Sequence, residues 1–207
     1  RVMYLQPAGM TDELLDVMVT HDNICNYFDI PLQHCDSEIL KSMNRSGSRA
    51  EYEQMVARIR QRIPGIALRT TLIVGYPGET EEQFDDLCDF VSETEFDYVG
   101  IFAYSPEDGT PAAELPNQVD EDTKQARLQE LRDIADAVSS HVVSQRIGTS
   151  MDVLVLGCEE DGQLYGRAQC QAPDVDGVTY LEHGAVGEVH TVSISDTLLY
   201  EMEALGD

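Results

Sequence analysis

Apolar residues in the first half of the chain alternate between short continuous runs and runs spaced by three or four positions. Residues 1–5 (Arg-Val-Met-Tyr-Leu) read as a strand. Thr11 is a natural N-cap for a helix carrying Leu14, Leu15, Val17 and Met18. Residues 27–32 form a second strand ending at Gln33-His34, and Asp36 opens a short helix that ends near Met43. Ser48 begins a longer helix with Tyr52, Met55, Val56 and Ile59 on one face, stopped by Pro64-Gly65. Residues 66–74 are a third strand, apolar enough to be buried on both faces as parallel strands are. Gly75-Tyr76-Pro77-Gly78 turns the chain into a helix whose first turn takes the acidic run Glu79-Thr80-Glu81-Glu82. Phe84, Leu87, Cys88 and Val91 give that helix its inner face, and residues 98–104 are a fourth strand. Strands alternating with helices predict a parallel sheet with crossover helices.

The rhythm breaks at residues 105–118, where Pro106, Gly109, Pro111 and Pro116 mark a linker or wrapping loop. A long helix is predicted over residues 119–146, with Leu128, Leu131, Ile134, Ala135, Val138 and Val142 along one stripe. Five short strands follow, at 151–156, 164–169, 178–181, 188–194 and 198–202. Thr191, Ser193 and Ser195 alternate with Val192 and Ile194, the period of a half-buried strand. Five short strands in so small a region predict an OB-like barrel. The chain therefore divides into residues 1–118, a connecting helix at 119–146, and an all-β part at 147–207.

Charge changes what this fold can be asked to do. Thirty-nine Asp and Glu face 13 Lys and Arg, a formal charge of −26. Nucleic-acid binding runs on cations that neutralise phosphate, so that balance argues against it and favours a basic partner. No apolar run is long enough to cross a bilayer, and no signal peptide opens the chain. Cys25, Cys35, Cys88, Cys158 and Cys170 form no CxxC or CxxxCxxC group, so no local zinc or iron–sulfur site is encoded. Their odd number and the lack of a secretory leader favour reduced thiols in the cytoplasm. A chain that starts inside a strand reads as a piece of something longer.

Sites form where parallel strands end, because the loops converge above the sheet. Three ends are distinctive: Pro31-Leu32-Gln33-His34, the Val74 to Glu79 segment, and Tyr104-Ser105-Pro106. Gly75 and Gly78 allow close backbone approach by a ligand, or serve only to turn the chain into its helix. Gln33 can hydrogen-bond a polar ligand at two points, and Arg69 can pair with a carboxylate. His34 and Cys35 are adjacent on an extended chain and diverge, which suits packing or capping better than a catalytic dyad.

Tyr27-Phe28-Asp29-Ile30-Pro31-Leu32-Gln33-His34, Ile39-Leu40-Lys41-Ser42-Met43-Asn44-Arg45, the run from Arg69 to Thr80 and the run from Phe102 to Ala113 together resemble the radical S-adenosylmethionine methylthiotransferases. His34 after Leu32-Gln33, Leu115-Pro116-Asn117-Gln118-Val119, and Gly166-Arg167 leading to Ala172-Pro173-Asp174-Val175-Asp176-Gly177 are similar to the RimO type, which modifies a ribosomal protein. The resemblance implies the second half of a partial TIM-like radical-enzyme barrel followed by a TRAM barrel. It implies S-adenosylmethionine and two 4Fe-4S clusters in the whole enzyme, with the cluster cysteines upstream of this chain. It also implies a methylthio group added at the β-carbon of an aspartate in small-subunit ribosomal protein twelve. The cofactor would carry the chemistry while the protein binds and orients it. Val74 and Gly75 would line the adenine side, and Gln33 and Arg69 would hold the polar end; no catalytic or metal residue lies in this piece.

Residues 147–207 carry 12 acidic side chains and one basic, Arg167, for a net charge of −11. That imbalance favours a basic ribosomal protein over the tRNA substrate of related enzymes, and no direct nucleic-acid contact is expected. A non-catalytic acidic binding module is the remaining reading. An open half-barrel should also self-associate through its uncovered face.

Overall fold

A computed structural model describes residues 1–206. Three parallel strands, β1 (Tyr27–Asp29), β2 (Ala67–Val74) and β3 (Tyr98–Ala103), form a sheet in the order β1-β2-β3. Arg69 pairs with Asp29 on one side and Tyr98 on the other, and Val74 pairs with Ala103. The helices α1 (Asp12–Thr20), α2 (Ser37–Ser42), α3 (Arg49–Arg62), α4 (Glu81–Thr94) and α5 (Glu121–Ser144) complete this part.

The helix starts are written in short polar side chains. Thr11 accepts the Leu14 amide, Asp36 the amides of Glu38 and Ile39, Ser48 that of Glu51, and Asp120 that of Thr123. Thr80 and Gln83 cap α4 reciprocally, which puts Glu79 outside the helix rather than in its first turn.

Burial along β2 alternates. Leu68, Thr70, Leu72 and Val74 are buried, and Leu68, Leu72 and Val74 pack with Phe28, Leu87, Val91 and Leu131 in the helix-covered core. Arg69, Thr71 and Ile73 point to the opposite face and are half-buried. The expectation of burial on both faces is corrected here, because helices cover one face only. Gly100 and Phe102 continue the uncovered face on β3, where Phe102 is 58% exposed.

Two other expectations are corrected. Residues 1–5 run beside β1 but make one parallel bridge, Val2 to Phe28, before Tyr4 turns the chain at φ 58°. The stripe of α5 reaches Ser139 and Val143 in place of Val138 and Val142, since its buried face follows the sheet and then the barrel.

The second part is a closed barrel of five strands, β4 (Ser150–Cys158), β5 (Leu164–Ala168), β6 (Thr179–Leu181), β7 (Val189–Leu198) and β8 (Glu201–Gly206), ordered β4-β5-β6-β8-β7. Val153, Val155, Ala168, Leu181, Val192, Ile194 and Met202 fill it. The predicted fifth strand at 198–202 straddles a hairpin. Leu199 takes φ 57° at the turn, so β7 runs on to Leu198 and β8 starts at Glu201.

The strand starts of the sheet meet the barrel. Tyr27, Ala67 and Tyr98 share one apolar cluster with Val143 and the barrel interior. Around that cluster lies a buried polar joint. The Tyr27 hydroxyl and the Ala172 amide each donate to Asp176 Oδ2 at 2.7 Å. Arg69 NH1 donates to Asp29 Oδ1 at 3.0 Å and Thr71 Oγ1 at 3.1 Å, while its Nε lies 3.5 Å from Asp176 Oδ1. Gly100 makes room for the guanidinium, since a Cβ there would stand 2.9 Å from Arg69 NH2. Arg146 pairs with Asp97, whose other oxygen accepts the Leu68 amide at 2.7 Å, and the Tyr200 hydroxyl donates to Asp136 of α5.

Burial pushes the Asp176 carboxyl up from 3.8 to about 6, against the Ala172 and Tyr27 hydrogen bonds and the Arg69 charge, which pull it down. The folded state therefore holds this proton more tightly than the unfolded chain. Its stabilising share is complete below pH 3.8 and fades as pH rises through about 6. Melting temperature should fall between about pH 4 and 6 more steeply in the natural chain than in Asp176→Asn; parallel curves would remove Asp176 as the cause. Sedimentation velocity should show self-association through the Phe102 face, shifted toward monomer by Phe102→Asp. A monomer at high micromolar concentration in the natural chain would contradict it.

Candidate functional site

At the opposite end of the sheet, the strand ends gather Gln33, Gly75, Tyr76 and Tyr104. Gln33 follows β1, its amide donating to Thr71 O and its carbonyl accepting from Ile73 N, both at 2.8 Å. It takes φ 72°, a left-handed conformation that a non-glycine residue adopts only when its surroundings impose it. Its side chain is half-buried. Tyr76 packs edge-on to Tyr104 with ring centroids 5.2 Å apart, and its hydroxyl donates to Ser42 O at 3.1 Å. That bond ties the end of α2 to the Gly75 turn.

Gly75 has φ 72°, and a Cβ there would overlap the Lys124 side chain, so both backbone and space require glycine. Its amide donates to both oxygens of Glu79 at 3.0 Å. The Glu79 side chain is fully buried, pairs with Arg127 NH1 at 2.8 Å and faces His34 Nε2 at 3.5 Å. Since His34 Nδ1 accepts the Asp36 amide at 2.9 Å, the neutral ring carries its proton on Nε2, toward Glu79.

Of the four residues singled out from sequence, three come together. Gln33, Val74 and Gly75 share this edge, but the Val74 side chain is wholly buried among the helices, so only its backbone can reach a ligand. Arg69 lies about 20 Å further down β2, with its donors committed to Asp29, Thr71 and the neighbourhood of Asp176. Lys124 and Arg127 went unnoticed in the sequence, and Glu79 was read only as part of an acidic helix start. The Thr80-x-x-Gln83 capping box was the available signal, because it leaves Glu79 free to fold back.

The cysteines do not converge. Cys35 and His34 diverge as expected, with Cys35 Sγ facing Asp86 at 3.7 Å. Burial pushes the Cys35 thiol up, and likewise raises Cys88 to about 12, so neither is a thiolate at neutral pH. Among the described residues no group of three His, Cys, Asp or Glu side chains could hold a metal ion. A 4Fe-4S cluster therefore finds no ligand set here. At this edge Gln33 keeps a half-buried side chain amide able to meet a ligand, whereas Gly75 is buried, gives its amide to Glu79 and has the Lys124 stem packed against it.

Gly75→Ala should cost roughly 2–4 kcal/mol, from left-handed strain plus overlap with Lys124. Gly78→Ala, where nothing lies within 4 Å, should cost only about 1 kcal/mol. Urea denaturation of the two variants checks this, and equal losses would refute the Lys124 contact.

Residues 1–91 match the Radical SAM superfamily and residues 147–205 match the TRAM domain. The chain is similar to the ribosomal protein uS12 methylthiotransferase RimO of Bdellovibrio bacteriovorus, 43% identical over 206 residues, or 98% of this chain and 45% of that protein. RimO of Alkaliphilus oremlandii is 45% identical over 182 residues, or 87% of this chain and 42% of that protein. Among solved structures, coproporphyrinogen III oxidase (HemN) from Escherichia coli, a radical SAM enzyme, gives a TM-score of 0.49 at 19% identity, covering 70% of this chain and 33% of that one. The chain spans about half the length of the curated relatives it matches. Its fold is a radical-SAM-like parallel α/β sheet followed by a TRAM-like closed β-barrel, and over nearly all its length the chain is homologous to bacterial RimO.

Proposed function

We propose that this chain is part of a RimO-type radical S-adenosylmethionine methylthiotransferase, acting on an aspartate of small-subunit ribosomal protein twelve. The observation that carries the reading is colinearity. Sheet, connecting helix and barrel align in one run covering 98% of the chain with uS12 methylthiotransferases.

In this reading the Gly75 turn is the edge that meets S-adenosylmethionine. Val74 and Gly75 contribute main-chain atoms to the adenine side, and Gln33 hydrogen-bonds the polar end. Arg69, assigned to that polar end by resemblance, instead ties sheet to barrel in this geometry. When bound, the cofactor supplies the hydrogen-abstracting chemistry of such enzymes. The cluster ligands belong outside the described residues, so the chain by itself is an incomplete enzyme.

The barrel supplies the substrate surface. With Arg167 its one basic residue against 12 acidic ones, it is suited to a very basic ribosomal protein and unsuited to RNA. No helix of the described residues is long and apolar enough to cross a membrane, and the reading places the protein in the cytoplasm with its ribosomal substrate.

Fluorescence anisotropy should show salt-sensitive binding of the chain to purified ribosomal protein uS12 and none to tRNA. Equilibrium dialysis should show at most weak binding of S-adenosylmethionine. Preference for tRNA would favour the tRNA-modifying relatives instead, and tight cofactor binding without a cluster would contradict the partial-pocket reading.

A further inference from the structure

The two matched segments end at residue 91 and resume at residue 147, leaving α5 outside both. Yet α5 carries two buried cations on one face, Lys124 and Arg127, only 5% and 7% exposed. Both face the Gly75 turn. The Lys124 stem fills the space where a side chain on Gly75 would sit, and its Nζ lies 5.5 Å from the Tyr104 ring centroid. Arg127 NH1 donates to Glu79 Oε1 at 2.8 Å and to Glu79 O at 3.2 Å, and its NH2 donates to Glu81 at 2.8 Å.

These bonds form a relay of fixed geometry. Arg127 holds the Glu79 carboxylate, and both oxygens of that carboxylate hold the Gly75 amide. Arg127 directs its bonds to residues 79 and 81 and none to the sheet, so what it orders is the turn. Without it, the buried carboxylate would keep the Gly75 amide and a His34 nitrogen 3.5 Å away as its polar neighbours. A planar fork with one nitrogen on Glu79 and the other on Glu81 is a geometry lysine cannot copy.

We infer that Arg127 is a positioning residue for the cofactor edge: acting through Glu79, it fixes the Gly75 amide and with it the turn that faces the ligand. This rests on the reading of that turn as the S-adenosylmethionine edge. It makes α5, a segment neither family match covers, a working part of that edge.

The test uses the 15N-labelled chain and compares the natural protein with Arg127→Met, Arg127→Lys and Arg127→Met combined with Glu79→Gln. Hydrogen exchange is read at the Gly75 amide, at Leu68, Thr70 and Leu72 within β2, and at Val153 in the barrel. Arg127→Met should speed Gly75 exchange by about tenfold or more and leave the strand and barrel amides unchanged. Arg127→Lys should recover part of the protection. Adding Glu79→Gln, which removes the unpaired charge but keeps an acceptor for Gly75, should recover more. The Gly75 resonance should also shift on titration with S-adenosylmethionine, half-saturating at several-fold higher concentration in Arg127→Met. Unchanged Gly75 exchange in Arg127→Met would overturn the inference, as would exchange accelerated equally throughout the sheet. If Arg127→Met does not fold, Arg127→Lys carries the same readout, with faster exchange confined to Gly75 expected and uniform change refuting it. Should the natural chain show no shift with S-adenosylmethionine while the exchange pattern holds, the cofactor reading fails and the positioning of the turn stands.

Discussion

Buried arginine–carboxylate pairing is the constraint on which this fold depends. The chain has 13 cations for 39 carboxylates, and three of its arginines are placed where parts of the molecule join. Arg69 bridges Asp29 of the sheet and Asp176 of the barrel, Arg146 meets Asp97 where α5 gives way to the barrel, and Arg127 meets Glu79 at the far strand ends. Such pairs add modestly to stability compared with apolar substitutes, but removing one partner typically costs about 3–5 kcal/mol because the other charge stays buried. They act as address labels: each joint tolerates one partner geometry. Apolar packing then fills in around them, from Phe28 and Leu72 under the helices to Val153 and Ile194 inside the barrel.

Local signals carried a large part of this architecture. Thr11 was legible as an N-cap, and Asp36 and Ser48 as helix starts, because a cap is decided within three residues, and each does cap. The alternation of Val192 and Ile194 with Thr191 and Ser193 was legible for the same reason, and the two apolar residues are buried. What stayed hidden is set by distance along the chain. Arg69 looked like a ligand for an external carboxylate, and its partners turned out to be two internal ones that meet it only after the barrel docks. Glu79 looked like a helix-dipole residue, and its role appears only when α5 lays Arg127 beside it. The Leu199 turn was missed because apolar residues fill it, leaving no glycine or asparagine to mark the left-handed position.

The uneven charge has a second effect. Buried pairs absorb cations that would otherwise soften the surface, since Arg69, Arg127 and Arg146 are turned inward. Each takes at least one carboxylate inward with it, so the exterior keeps close to the acidic excess of the whole composition.

Helix α5 is held at its start by Glu79, along its length by Tyr200 on Asp136, and just beyond its end by Asp97. A helix of 24 residues pinned at three points is a strut about 36 Å long. The barrel is thereby held from the Gly75 turn at a span set by the helical rise. One extra helical turn would lengthen it by about 5 Å, so in the proposed reading reach, independently of affinity, becomes a criterion for which atom of a bound partner could arrive at that turn.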